Sequence, residues 1–409
     1  MLVRTSPGAA SRARGRSAER YEHRMVASAT TAARELVPLI TALRDETERD
    51  RRLPTQIVER LVDTRLCRMA IAQQYDGLEV PISDALEVYE VLAAAEASAA
   101  WIVWNNSLPC FLSRFLAPAT RAELFADRRW LYAVSTRATG KAIAEGDGYR
   151  VSGRWSLVSG CELAEWIALA CIVHDGEAPR MLAPGAPELR LAYVRRGDFE
   201  ILDTWHVGGL RGTGSHDVVV ADAHVPQPRT VSPTDEVTLD RAIGRVPIIC
   251  VMAAGFASQA LGIAEVGIRT LITLARTKVN IEAGPGLRDR PSVQALIAGQ
   301  TAALDAARDH LRRRTGELWR SAEAGARSSL HQISASWAAA HHAIDAAKFS
   351  LEGAYAAAGT TSLYSACPLE RAHRDLHAML RHVVAQSMWL EDAGKVTLGT
   401  APTHPLYAV

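Results

Sequence analysis

The feature that most constrains the fold of this chain is a strand-rich stretch enclosed by helical sequence. Residues 149–169 read YRVSGRWSLVSGCELAEWIAL, and residues 203–226 read DTWHVGGLRGTGSHDVVVADAHVP. In both segments β-branched and aromatic residues alternate with polar ones, and glycines interrupt the pattern, which is typical of strands joined by tight turns. The sequence on either side has the apolar spacing of helices. We therefore predict a mainly α fold with a β insert, in which two helical blocks pack against a small β domain.

Bulk properties exclude several classes of protein. The 409 residues are enough for a multi-domain enzyme, and the formal net charge of +1 gives no electrostatic reason to bind nucleic acid or an anionic membrane. The six cysteines contain no CxxC pair, so neither a metal site nor a disulfide framework is predicted. No apolar run approaches the roughly 20 residues that span a bilayer. We expect a soluble, cytoplasmic protein with reduced thiols and no membrane partner.

Changes in composition divide the chain into four parts. The first twenty residues hold five arginines and little apolar mass, which predicts a disordered arm; an organelle transit peptide is the alternative. We expect an N-terminal helical domain over residues 21–128, a central β domain over residues 129–236 and a C-terminal helical domain over residues 237–409.

Two stretches outside the helical spacing hold candidate functional residues. Ser159 follows the strand pattern and precedes Gly160, so from the residues alone a turn serine and a functional serine are equally good interpretations. The segment GLRGTGS, residues 209–215, has the glycine density of a phosphate-binding loop. It does not lie between a strand and a helix, so a dinucleotide-binding Rossmann fold is not predicted.

Two predicted helices also carry polar residues that call for an explanation. A helix from about Ser98 contains Trp101 and Trp104, which are either core or pocket residues, and two amides that must be exposed or hydrogen-bonded inside. Near the C-terminus a last helix is predicted from about Leu369 to Asp392, with His382 two turns beyond Asp375 on one face.

Three segments resemble the acyl-CoA dehydrogenase superfamily, and more narrowly its flavin-dependent monooxygenases, the oxygenase components of two-component aromatic hydroxylases. The segments are GDGYRVSGRWSLVSGCELAEW, DTWHVGGLRGTGSHDVVVADAHVP and CPLERAHRDLHAMLRH. The resemblance implies an N-terminal helical domain, a central β-barrel-like domain and a C-terminal four-helix bundle, assembled as a homotetramer. It also implies reduced FAD or FMN, with FAD ahead of FMN, and O2 as co-substrate. A separate NAD(P)H:flavin reductase would supply the reduced flavin, since no NAD(P)H fingerprint is evident.

The implied reaction passes through a C4a-hydroperoxyflavin and either hydroxylates an aromatic ring or N-oxygenates an amine-bearing small molecule. The resemblance places Ser159 near flavin N5 and His382 beside the flavin. With an ordinary pKa of about 6.5, His382 could take the substrate's proton or relay one; His373 and His377 are the alternatives. The flavin contacts that the resemblance suggests are Ser135, Thr136, Ser159, Arg211, Thr213, Arg276, Gln294 and Arg374. The substrate-pocket candidates are Trp101, Asn105 and Cys110.

Two departures from the family pattern keep other functions open. Many of these hydroxylases carry a histidine on the helix of Trp101, whereas this chain has Leu108, Pro109 and Cys110 nearby, so N-oxygenation fits as well as ring hydroxylation does. An acyl-CoA dehydrogenase would need a glutamate base, and no such motif is evident after Arg374. Acyl-CoA dehydrogenation remains an alternative, as does a non-catalytic flavin-fold binding protein.

Overall fold

The N-terminal part of the molecule is a helical block. We describe a computed structural model that covers residues 8–183, 185–277 and 286–407, with side chains from residue 29 onward. The helices of this block are α1 (Gly8–Asp50), α2 (Thr55–Asp63), α3 (Ile82–Ala95), α4 (Ala97–Leu112) and α5 (Pro118–Leu124). Residues 8–20 lie within α1, but their side chains are not among those described. The disordered arm predicted for residues 1–20 therefore stays a prediction. α4 is buried on nearly all sides, so it carries its side chains through the core.

The β domain follows as one mixed sheet and a small ribbon, which confirms the predicted β insert. The strands are β1 (Leu131–Glu145), β2 (Gly148–Val158), β3 (Ala164–Asp175), β4 (Ala178–Pro179), β5 (Met181–Ala183), β6 (Ala186–Pro187), β7 (Leu189–Arg195), β8 (Glu200–Leu202), β9 (His216–Pro226) and β10 (Thr230–Val231). The sheet order is β10-β7-β3-β1-β2-β9-β8, with β1 parallel to β3 and antiparallel to β2. Trp155 is fully buried and lies over Gly140, where a Cβ would overlap its ring. The sheet therefore has a hydrophobic core of its own, separate from the main core of the protein.

The C-terminal block returns to helix. Its elements are α6 (Ala242–Arg245), α7 (Ile248–Thr277), α8 (Pro291–Glu323), α9 (Leu330–Ala358), α10 (Pro368–Met379) and α11 (Met388–Thr397). α7 is long and apolar enough to cross a membrane by length and composition, contrary to the expectation that no segment approaches this limit. The burial of 89% of its most apolar window inside the protein is instead the pattern of a core helix.

The single last helix predicted from Leu369 to Asp392 is wrong. α10 ends at Met379, and His382 then adopts an extended backbone with φ −70° and ψ 148°. Its side chain accepts a hydrogen bond from the Val384 N–H and caps a short 3-10 turn, and the indole N–H of Trp389 donates to the Val383 carbonyl at 2.9 Å. These local bonds replace those of a continuing helix. No glycine or proline lies at the break between α10 and α11, so the sequence pattern does not predict where α10 ends.

Candidate functional site

Ser159 lies in a strained turn at the end of β2. Leu157 has φ 62° and Gly160 has φ 71°, so left-handed residues stand on both sides of the serine. A bulky residue such as leucine seldom adopts that conformation, and it persists only where surrounding contacts impose it. The ladder between β2 and β9 is irregular between Trp155 and Val158, and it then pairs Val158 with His216. This register places Ser159 against the residues that precede β9.

A line of buried side chains, which we call the hydroxyl row, runs from α4 through Ser159 into the loop before β9. The indole Nε1 of Trp101 donates to Ser159 Oγ at 2.9 Å. Ser159 Oγ lies 2.8 Å from Ser215 Oγ, which lies 2.7 Å from Thr213 Oγ1. Thr213 Oγ1 donates to the Leu210 carbonyl at 2.9 Å. Sequence reasoning missed Ser215, because its role depends on its contact with Ser159, which lies 56 positions away.

Two glycines of the loop at residues 208–215, Gly209 and Gly212, serve close packing. A Cβ on Gly209 would overlap the carbonyl of Arg374 in α10, and one on Gly212 would overlap the side chain of Thr47 in α1. The Leu210 N–H donates to Asp375 Oδ1 at 2.7 Å. The loop is thus fixed between the helical blocks. Its glycines, whose density resembles that of a phosphate-binding loop, are needed where neighbouring helices leave no room for a Cβ atom.

An aromatic wall brings His382 to the hydroxyl row. The His382 ring centroid lies 5.5 Å from that of Trp101, 5.6 Å from that of Trp104 and 5.7 Å from that of Phe256. Trp104 is itself fixed by a 3.0 Å hydrogen bond from its indole N–H to the Met252 carbonyl. Ser159 and His382 therefore contact the same Trp101 indole, although 223 sequence positions separate them (382 − 159).

His382 is neutral in this environment. Burial, together with the positive charge of Arg137, lowers the pKa of its imidazole to about 4. Its Nδ1 accepts a hydrogen bond from the Val384 N–H at 3.3 Å, so the ring proton resides on Nε2. The expectation of an ordinary pKa is wrong. The structure favours an Nε2–H donor over a base that takes the substrate's proton.

A bulge in β1 separates two residues predicted to contact flavin. Ser135 pairs with Leu169 and Gly140 with Cys171, so four residues of β1 oppose one residue of β3. Ser135 is buried, whereas Thr136 is exposed. Bulges of this kind often redirect side chains next to active sites. The bulge also carries Arg137, whose charge reaches His382 and which sequence reasoning missed.

The two amides of α4 have different environments. Asn106 Oδ1 accepts from the Tyr132 N–H at 2.8 Å, and its Nδ2 donates to the Cys67 carbonyl, so this amide joins elements of the core. Asn105 Oδ1 is buried and has no hydrogen-bond partner. A buried acceptor left unpaired is costly, so Asn105 is a candidate to bind a ligand donor.

Cys110, the other pocket candidate on α4, faces its own helix. Its Sγ donates to the Asn106 carbonyl at 3.2 Å, and burial raises the pKa of the thiol. The group is therefore a protonated, packed thiol, which gives a substrate neither a nucleophile nor a base.

Charged residues form a second, partly buried network, the charged cluster, which consists of Glu48, Glu96, Arg371, Arg374 and Asp375. Arg374 donates to Glu370 at 2.6 and 3.0 Å, to Glu48 at 2.9 Å and to the Gly208 carbonyl. Its donors are thus taken up by protein groups, and its predicted contact with the cofactor stays a prediction.

Arg211 is similarly engaged. Its Nε donates to the Glu48 carbonyl and its Nη1 to the Val207 carbonyl, both at 3.0 Å. This arginine connects the loop to α1. Thr213 likewise bonds backbone, and contacts of either residue with flavin stay predictions.

Arg276 and Gln294 lie on the surface of the C-terminal block. Arg276 is exposed in the last turn of α7, and Gln294 is exposed near the start of α8, where its Nε2 donates to the Arg288 carbonyl at 3.0 Å. Residues 278–285 of the connection between them lie outside the described residues. The predicted reach of this pair to flavin across a subunit boundary stays a prediction.

Comparison with known proteins agrees with this architecture. Residues 254–387 match the family model described as the acyl-CoA dehydrogenase C-terminal domain. The chain is 25% identical to indole-3-acetate monooxygenase from Pseudomonas putida, over 92% of this chain and 96% of that protein. It is also 25% identical to the oxygenase component of the FADH2-dependent resorcinol hydroxylase from a Rhizobium species, over 83% of this chain and 86% of that one.

A solved structure is similar over nearly the whole chain. XiaF from a Streptomyces species, in complex with FADH2 and glycerol, superimposes with a TM-score of 0.87 at 25% identity, covering 95% of this chain and 99% of that one. Taken with the helix–sheet–helix order and the site around Trp101, these matches show that the chain is similar over nearly its whole length to oxygenase components of flavin-dependent monooxygenases, and that its C-terminal part matches the acyl-CoA dehydrogenase family model.

Proposed function

We propose that this protein is the oxygenase component of a two-component monooxygenase. It uses reduced flavin and O2 to transfer one oxygen atom to a small molecule with an aromatic ring. The observation that carries the proposal is that Ser159 and His382 contact one indole, with an acceptor oxygen on one side and an N–H donor on the other.

The residues around Trp101 fit a reduced flavin. Reduced flavin carries N–H groups as well as carbonyl oxygens, and it supplies the electrons that activate O2 when bound. Ser159 is a buried oxygen that can accept from an N–H, and neutral His382 can donate to an oxygen nearby. Ser135, Thr136 and the loop at residues 208–215 are the further groups that would hold the cofactor. The FADH2 complex of XiaF supports FAD ahead of FMN.

The chain's own residues exclude water and fix protons. Trp101, Trp104 and Phe256 are nearly fully buried, so they lower the local polarity around the His382 ring. In such surroundings a neutral N–H donor keeps its proton and can stabilise negative charge that develops on an oxygen atom. His382 is thus proposed as that donor, and Ser159 as the residue that holds the cofactor's orientation.

The wall composition supports an aromatic substrate with its own hydrogen-bond donor. Trp101, Trp104 and Phe256 favour a flat ring, and Asn105, one turn from Trp101, offers an unpaired buried acceptor. A ring N–H or O–H would satisfy it. Relatives named for indole-3-acetate and resorcinol agree with both kinds of donor. N-oxygenation of an amine stays the alternative outcome.

Three further elements belong to the proposal. Because the relatives include an oxygenase component, a separate NAD(P)H:flavin reductase supplies the reduced flavin. The chain assembles as a homotetramer, which the exposure of Phe349, Leu363 and Tyr364 supports, because large apolar side chains in solvent indicate an interface. It acts in a reducing cytosol, in line with its six free, buried cysteines.

The experiment supplies chemically reduced FAD and O2, without a reductase, to the purified protein with indole-3-acetate or resorcinol. Oxygenated product and hydrogen peroxide are measured together. We expect coupled product from the wild type, and about a hundredfold less product with peroxide release from His382→Gln and Ser159→Ala. Arg313→Met, which removes a surface ion pair with Glu317, is the control and keeps the wild-type ratio.

Each alternative function has its own outcome. Reduction of bound oxidised flavin by an acyl-CoA would support the dehydrogenase. Flavin binding with unchanged product in both variants would remove Ser159 and His382 from the reaction. A protein that binds flavin yet never consumes O2 would be the binding protein.

A further inference from the structure

The hydroxyl row has only one consistent direction of hydrogen bonding. The Leu210 carbonyl can only accept, so the single hydroxyl proton of Thr213 is donated to it at 2.9 Å. The 2.7 Å contact between Thr213 and Ser215 must then use the proton of Ser215. By the same count, the 2.8 Å contact between Ser215 and Ser159 uses the proton of Ser159.

Ser159 is therefore left as an acceptor. Its proton is committed to Ser215, and the Trp101 N–H occupies one acceptor position on its oxygen. A hydroxyl oxygen has two acceptor positions, so one remains. Any group that approaches this side of Ser159 meets a lone pair. The direction of all these hydrogen bonds is set by the Leu210 carbonyl, which lies at the end of the row opposite Ser159.

We propose that Ser215 and Thr213 are positioning residues that hold Ser159 as an acceptor, so that the site selects reduced over oxidised flavin. The inference rests on the proposed function, because it assumes that Ser159 faces a flavin. It concerns which oxidation state binds, and it does not concern the oxygen transfer itself.

The chemistry of the ring gives the selection its sign. The central ring of reduced flavin carries an N–H where oxidised flavin carries an unprotonated nitrogen with a lone pair. An acceptor oxygen can accept a hydrogen bond from the N–H of reduced flavin. It leaves the unprotonated nitrogen of oxidised flavin without a donor in a buried site. Reversing the row would free the proton of Ser159, but it would break the Thr213 bond to Leu210. The preference should therefore equal about one hydrogen bond.

The test measures equilibrium binding of oxidised FAD and, anaerobically, of dithionite-reduced FAD. In Ser215→Ala the proton of Ser159 loses its acceptor, and in Thr213→Val Ser215 can turn and donate to Ser159. Both changes free the Ser159 proton to face the oxidised ring. We expect the ratio of the two dissociation constants, oxidised over reduced, to fall about three- to tenfold, with oxidised FAD bound more tightly than by wild type. A tenfold change equals about 30 mV in the two-electron potential of the bound flavin.

Two controls separate direction from packing. Thr213→Ser keeps the hydroxyl and should restore the wild-type ratio. Ser350→Ala removes a buried serine that bonds Gln300 at 2.8 Å in the C-terminal block, and should leave the ratio unchanged. A site that had merely loosened would bind both forms more weakly, without a change in ratio.

The outcomes distinguish this inference from the proposed function. A wild-type protein that binds neither form of FAD contradicts the proposed function. Wild-type protein that binds FAD with no preference for the reduced form overturns the inference alone. Unchanged ratios in both Ser215→Ala and Thr213→Val overturn it as well.

Discussion

The hydroxyl row, which is buried, and the charged cluster, which is partly buried, are polar networks that share one loop and differ in the hydrogen-bonding groups that they leave unpaired. The row is neutral, and counting its protons leaves one acceptor position on Ser159. The cluster is ionic, and Arg374 bonds Glu48, Glu370 and the Gly208 carbonyl. A neutral hydroxyl with a single proton can retain an acceptor position for a ligand. The guanidinium of Arg374 instead uses its donors to connect neighbouring elements of the protein. We infer that the row serves the ligand and that the cluster joins α1, α10 and the loop.

The largest expected effect comes from breaking the cluster. Arg374→Met leaves Glu48 and Glu370 without their main partner in a partly buried site, so we expect a loss of about 3 kcal/mol in the free energy of unfolding. Urea denaturation measures it. The matched control is Arg313→Met, which breaks a surface pair with Glu317 at 3.2 Å and should change the same quantity by less than about 0.5 kcal/mol.

The contrary result would favour the role first predicted for Arg374. If Arg374→Met were as mild as Arg313→Met and yet lost FAD binding, Arg374 would belong with the ligand, and the division between the networks would be wrong.

Two adjacent glycines offer the next largest effect. A Cβ on Gly209 would overlap the Arg374 backbone carbonyl, while a Cβ on Gly208 meets nothing within 4 Å. A backbone carbonyl in a helix cannot move aside, so Gly209→Ala should cost about 2 kcal/mol in unfolding free energy. Gly208→Ala should be close to neutral. Equal effects would show that the loop is loosely held and that its glycines serve something other than packing.

The sequence predicted the elements whose signals are local and repeated. The strand alternation around Trp155 and the helical spacing of α7 and α8 were sufficient for the fold class. The family resemblance brought Ser159 and His382 to attention, and the structure places both against Trp101.

The rest depended on contacts between distant residues. The break before His382 is made by its own side-chain cap and by Trp389, with no glycine or proline to mark it. The lowered pKa of His382 needs burial under helices from two blocks and a charge on β1. Ser215 became notable only once its hydroxyl was found between two others. The periodicity of the sequence predicts none of these features, because each depends on contacts formed only in the folded protein.

The third effect is a pH dependence from the aromatic wall. The pKa of His382 is about 4 in the folded protein, against about 6.5 in an unfolded chain, so between these values the unfolded chain binds more protons. Stability is therefore lost as the pH falls through this window. Between pH 7 and pH 5 we expect the unfolding free energy of His382→Gln to fall by about 1.8 kcal/mol less than that of wild type, measured by urea denaturation at each pH.

His331→Gln, which removes an exposed histidine of α9, should keep the wild-type pH dependence. An unaltered slope in His382→Gln would mean that the imidazole protonates freely. His382 would then regain the role of a base, and the wall would be wetter than its packing suggests.

The smallest effect has the opposite sign and arises in the charged cluster. Burial, together with the nearby Glu96 carboxylate, raises the pKa of Asp375 well above its ordinary value. A carboxyl group whose pKa is raised by folding stabilises the protein at low pH, and that stability is lost as the pH rises through the folded-state pKa. The Leu210 N–H and the charge of Arg374 favour the ionised form and offset part of this rise in pKa.

Asp375→Asn retains an oxygen for the Leu210 N–H and cannot ionise, so its stability relative to wild type should increase from pH 5 to pH 8 in urea denaturation. Asp45→Asn is the control of opposite sign, because Arg371 lowers the pKa of Asp45 by a direct hydrogen bond, and its loss should weaken the protein slightly at neutral pH. Were Asp375→Asn instead less stable than wild type by the same amount from pH 5 to pH 8, Asp375 would be an ionised partner of the arginines. Every carboxylate of the cluster would then be ionised and paired with an arginine. The cluster would be fully ionic, in contrast to the neutral hydroxyl row.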